Sequence, residues 1–142
     1  MNEIITLHRY WIWANALRTH FDQKLLNNKE QKKREDISWF ADYEGVFLSH
    51  WYSALYVVIE GWKTLHLEDK EIDLLLKSSN VDLLRRFRNG VCHFQPEYLD
   101  SRFVGFMAEP STVDWVRNLN REFGRYFLET LNNKEQKDSN NK

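Results

Sequence analysis

From residue 2 to residue 27, apolar side chains return every three or four positions: Ile4, Leu7, Trp11, Ala14, Leu17, Phe21 and Leu25. A helix turns once in about 3.6 residues, so this spacing lines one helical face, whereas a strand needs alternation every two. The same step recurs along most of the chain. Only five Gly and two Pro occur among 142 residues, which leaves little turn chemistry for hairpins. The expected fold is all-α: a single-domain bundle of about four to five helices over residues 1–131. The polar stretch 132–142 has nothing to pack and is expected to be a disordered tail.

A polar connection, Asn27–Asp36, separates the first helix from a second one at about Trp39–His66. The second helix carries a core stripe of Tyr43, Phe47, His50, Ala54, Val57 and Gly61, widened by Trp51, Leu55 and Val58. Apolar residues cover so much of its circumference that it should be central, touched on several sides. A short third helix is expected near Asp69–Lys77. The fourth runs from Val81 to about Phe94, with Asn80 as its N-cap, and stops because Gln95 precedes Pro96. The next connection is either open or holds a short helix. The last helix begins near Ser111, with Ser111-x-x-Asp114 as a capping box, and reaches Leu131. The segment Leu26–Lys32 recurs as Leu131–Lys137; both copies read as polar exits from a helix.

Several function classes fall away. A formal net charge of −1 rules against nucleic-acid binding by bulk charge, so any such contact needs a local patch. A single cysteine, Cys92, supports neither a disulfide framework nor a Cys-rich zinc site. No His-x-x-x-His, Glu-x-x-His, Gly-rich phosphate loop or Gly-x-Ser-x-Gly elbow occurs, so neither metal nor cofactor is expected. The longest apolar segment, Val46–Ile59, is too short and too polar for a membrane span. The start of the chain has no signal-peptide pattern, which makes the expected location cytoplasmic.

One group of residues carries chemistry. On a helical wheel Leu83, Leu84, Phe87, Val91 and Phe94 share a side that must face the core, and His93 lies well over 90° away. Asn89 shares the outward face one turn below, Arg85 and Arg86 flank it, and Arg88 sits at the border of core and solvent. An imidazole in the last turn of a helix exchanges a proton near neutrality, and a guanidinium presents a planar fork to a phosphate. RNA cleavage needs little more: a base for the 2′-hydroxyl, an acid for the leaving oxygen and positive charge on the phosphate. One histidine serves two proton transfers poorly. A two-fold dimer would bring two His93 and two Arg88 to one cleft, with Gly90 allowing a close approach.

The run Arg88-Asn89-Gly90-Val91-Cys92-His93 resembles the Arg-x(4–6)-His motif of HEPN domains, which are helical bundles with this motif on a late helix. The resemblance implies a dimeric, metal-independent endoribonuclease of the kind found in toxin–antitoxin, phage-defence or CRISPR-associated systems. Carried onto this chain, Arg88 and His93 would be catalytic and Asn89 supporting. Apart from the resemblance, Glu60 reads either as a partner that orients Arg88 or as a plain surface carboxylate, and Arg85 and Arg86 either steer RNA or form a solvated face. Partners would be RNA, a second copy and an antitoxin or other partner protein. Some HEPN domains only bind, so a non-catalytic helical module is the alternative.

Other residues have plainer readings. His50 is expected to be a buried, hydrogen-bonded histidine. Phe94, Tyr98, Phe103 and Phe106 are expected to cap the bundle end rather than stack on bases. A small-ligand pocket inside the aromatic core, near His50, Trp51 and Trp62, is a third possibility. A DNA-reading helix with Arg85, Arg86 and Arg88 is a weaker one, given the acidic neighbours.

Overall fold

The computed structural model describes residues 2–28 and 37–140, so most of the polar connection after the first helix, including part of the first Leu26–Lys32 copy, lies outside the described residues. Among these, six α-helices and one 3₁₀ turn follow in order: α1 (Glu3–Asn28), the turn (Ile37–Ala41), α2 (Tyr43–Thr64), α3 (Lys70–Leu75), α4 (Asn80–Cys92), α5 (Ser101–Met107) and α6 (Thr112–Asn140). None of the described helices is long and apolar enough to cross a membrane. The helix beyond the expected four to five is α5. Asp100 starts it by accepting the Arg102 N–H at 2.9 Å, the usual way an Asx residue satisfies a free helix donor.

The centre of the bundle is α2. Leu7 lies against Gly61, His20 stacks on Phe47 and Lys24 sits over Tyr43, so α1 runs antiparallel along it. Trp11 donates its indole N–H to the Asn120 carbonyl at 2.9 Å and His8 meets Phe127, which sets α6 antiparallel to α1. On the other sides α2 meets α4 and the 3₁₀ turn. A Cβ at Gly45 would overlap the Phe40 backbone carbonyl, so only glycine lets that turn lie flat on α2. The core joins Trp51, Leu55, Ile59 and Trp62 of α2 to Leu84 and Phe87 of α4, Phe106 of α5 and Leu119, Phe123 and Phe127 of α6. Each fully buried ring among them contributes about 2–3 kcal/mol.

The face of α2 differs from the expected stripe. Tyr43 is 71% exposed and His50 is exposed, so His50 is not the buried histidine expected. The buried line is Leu48, Trp51, Leu55, Val58 and Trp62, one ridge over. A helix apolar on most sides offers two adjacent ridges with the same spacing, and the larger indoles went inward. His66 ends α2 with φ 51°, its N–H on the Lys63 carbonyl and that of Leu67 on the Trp62 carbonyl. This left-handed closure normally takes glycine.

Two further boundaries moved. Asn80 is the first residue of α4, not its cap; Ser79 precedes it, and the buried Asn80 amide donates to the Ser111 hydroxyl at 3.1 Å. Ser111 in turn donates to Glu109, so that hydroxyl ties α4 to the α5–α6 turn. α6 continues through the second Leu131–Lys137 copy to Asn140 as an exposed helix, where the apolar pattern ends at Leu131.

A polar seam crosses the core where α1, α2 and α6 meet. Asn120 accepts the Trp51 indole N–H at 3.1 Å through its side chain and donates to Asn15 at 3.0 Å. Asn15 also accepts from Arg18 at 2.8 Å. Asp22 bridges Arg18 and Arg117, both at 2.7 Å, and Arg117 lies over the Trp51 ring. Burial works against the Asp22 charge, but Arg117 and Arg18 outweigh it and hold its carboxyl below the ordinary range. Burial, opposed by Arg117 and aided by Asp22, pushes the Tyr52 phenol up to about 12.

Candidate functional site at the end of α4

Leu84 and Phe87 drive one face of α4 into the core, and this fixes where the neighbouring polar side chains point. Arg88 leaves the helix toward α2, with its side chain 25% exposed. Its guanidinium lies 4.8 Å from the centre of the Tyr56 ring, and Nη2 reaches Glu60 Oε1 at 3.3 Å. Arg88 Nε is buried with no acceptor. A guanidinium has five N–H donors, so this one is steadied from two sides yet far from saturated. Burial and the Glu60 carboxylate together raise the Tyr56 phenol pKa, with Arg88 and Arg85 pulling the other way.

His93 stands elsewhere. The fourth helix ends at Cys92, and His93 is its C-cap with φ −127° and ψ 131°, not a residue of the last helical turn. The restriction that Pro96 places on Gln95 was expected to stop the helix at Phe94; it stops two residues sooner. Phe94 consequently leaves the core-facing side and is 92% exposed. The His93 imidazole is exposed and has no hydrogen-bond or ion-pair partner among the described residues.

The backbone of His93 is nevertheless fixed. Its N–H donates to the Asn89 carbonyl at 3.1 Å, and its own carbonyl accepts from Gln95 Nε2 at 3.0 Å. Gln95 Oε1 accepts from Arg102 at 3.1 Å, and Arg102 pairs with Asp100 at the start of α5. Sequence reasoning missed Gln95, Arg102 and Tyr56. Gln95 was visible only as the residue before a proline, and the other two depend on contacts between helices.

No hydrogen bond or ion pair joins Arg88 to His93 within the chain. Asn89 supports His93 through its backbone carbonyl rather than its amide. Glu60 contacts Arg88 at 3.3 Å, the pairing that was one of its two readings. Arg85 is exposed and paired with Asp82 at 2.6 Å, while Arg86 makes a 3.5 Å contact with Ser101 and feels the Asp100 carboxylate. Gly90 does permit a close approach, but α5 makes it: a Cβ there would sit 2.8 Å from the Phe103 ring. Of the aromatic residues after α4, Phe103 and Phe106 cap the core against Phe87. Phe94 and Tyr98 remain exposed, so the expected capping role holds for only two of the four. Trp51 and Trp62 are buried in ring contacts, and with His50 exposed the three do not enclose a ligand pocket. Among the described residues, no group of three or more His, Cys, Asp or Glu side chains is placed to hold a metal ion.

No protein-family model matches the chain, and no curated protein or solved structure matches it.

Proposed function

We propose that this chain is a metal-independent endoribonuclease of the HEPN type that acts as a homodimer on RNA in the cytoplasm, with a partner protein such as an antitoxin controlling it. One observation carries the reading: a steadied but unsaturated guanidinium and an unclaimed imidazole flank the end of the same helix. In the proposed reaction His93 takes the proton of a ribose 2′-hydroxyl, whose oxygen attacks the adjacent phosphorus. The 5′-oxygen leaves and takes a proton from the His93 imidazolium of the second copy, giving a 2′,3′-cyclic phosphate and a 5′-hydroxyl. Arg88 stabilises the crowded phosphate, and to do so it must exchange its long contact with Glu60 for phosphate oxygens. Arg86, which has the weaker internal contact, is the better guide for the RNA strand than Arg85.

The test is incubation of the purified protein with single-stranded RNA in EDTA, beside His93→Ala and Arg88→Ala. Cleavage to cyclic-phosphate ends that falls by about 100-fold or more in both variants supports the enzyme. Cleavage undiminished in the variants, or none by a dimeric wild type, overturns it. The contact between Arg88 and Glu60, together with the exposed Phe94 and Tyr98, favours a second reading as a non-catalytic binding module. That reading predicts RNA or protein retained without cleavage.

A further inference from the structure

Between α1 and the end of α2 runs an open groove of about 340 Å³. Leu7, Val57, Gly61 and Leu65 give it apolar surface, and Glu3 and Glu60 are also among its lining residues. No Lys, Arg or His side chain lines it. The apolar surface exists because α1 and α2 meet at Gly61, where a side chain would strike Leu7. Glu3 has no ion-pair or hydrogen-bond partner for its carboxylate among the described residues. Glu60 turns one oxygen, Oε1, to Arg88, which leaves Oε2 for a second cation.

An apolar trough that carries negative charge, unpaired on Glu3 and shared with Arg88 on Glu60, is complementary to one kind of small molecule: an apolar body that ends in a cation. An anion would be repelled by both carboxylates, and a neutral apolar molecule would leave them unused. We infer that this groove binds a small organic ammonium ion, with its hydrocarbon or aryl part on Leu7, Val57, Gly61 and Leu65 and its charged nitrogen between Glu3 and Glu60. Tyr10 and Thr64 also line the groove, and a hydroxyl can accept a further N–H donor. The proposal does not rest on whether α4 cleaves RNA, since its readout is binding alone, although Glu60 also contacts Arg88.

The experiment is a titration of the full chain with 2-phenylethylammonium chloride, followed by calorimetry and by amide NMR shifts. 2-Phenylethanol and phenylacetate serve as the neutral and anionic matches, and Glu3→Gln/Glu60→Gln as the variant. A ligand of this size in an open groove should bind with a dissociation constant on the order of 1 mM. The expected result is shifts centred on Gly61, Thr64 and Leu65, with affinity about fivefold weaker for the alcohol, for phenylacetate and for the double variant. The two substitutions lie at the surface, and an unchanged melting temperature establishes that the variant is folded. Binding of the alcohol equal to that of the ammonium, an unaltered affinity in the folded variant, shifts confined to other helices, or no binding at all would each overturn the assignment.

Discussion

The seam between α1, α2 and α6 and the exit from α4 are built from similar residues and do opposite things with them. In the seam, Asn120 is used at its carbonyl, its side-chain oxygen and its amide, and Asp22 holds two arginines. At the exit, Arg88 keeps a buried N–H without an acceptor, His93 has an idle imidazole and Phe94 stands in solvent. A closed network rigidifies a core and offers nothing to a ligand. An open one contributes little to stability and keeps its donors for something else. Polar residues in a helical bundle are therefore better sorted by whether their valences are filled than by how polar they are.

Four measurements can break or sharpen that contrast. Asn120→Ala should cost about 3 kcal/mol in urea unfolding, because the Trp51 indole and the Asn15 side chain both lose a buried partner. Next comes Tyr52. Its phenol is held at about 12, above its unfolded value, so its stabilisation is complete below pH 10 and is lost as pH rises toward 12. The loss should reach roughly 2–3 kcal/mol in the wild type and be absent from Tyr52→Phe. On the open side, Glu60→Gln should change stability by about 0.5 kcal/mol or less, since its partner contact is long and half exposed. Smallest of all, Phe94→Ser should leave stability within about 0.5 kcal/mol of wild type. A large cost at position 60 or 94, or a small one at position 120, would abolish the distinction.

Much of this was legible in the sequence. Leu7, Ala14 and Phe21 of α1 are buried as their spacing requires, and a short α3 stands at Lys70–Leu75, within the stretch where a short third helix was expected. The contact of Glu60 with Arg88 was one of two readings open to Glu60, the other being a plain surface carboxylate. What failed has a common cause. On α2, nearly every side is apolar, so periodicity named the direction of the core only to within one ridge, and Tyr43 and His50 landed outside. At the end of α4 the wheel was extended through Phe94, but the backbone had left the helix at His93, and a wheel says nothing about an extended residue. The Asn120 seam was invisible for another reason. Asn15, Trp51 and Asn120 are far apart in the chain, and no local pattern announces that three helices will bring them together.

Phe103 lying over Gly90 bears on ancestry. Any descendant that keeps α5 across α4 must keep a residue without a side chain at that spot, whatever becomes of its neighbours. Within the run from Arg88 to His93, then, the glycine is a record of shape, while the guanidinium and imidazole carry the proposed reaction. A cousin that retained the first and lost the others would inherit the architecture without the means for the reaction proposed here.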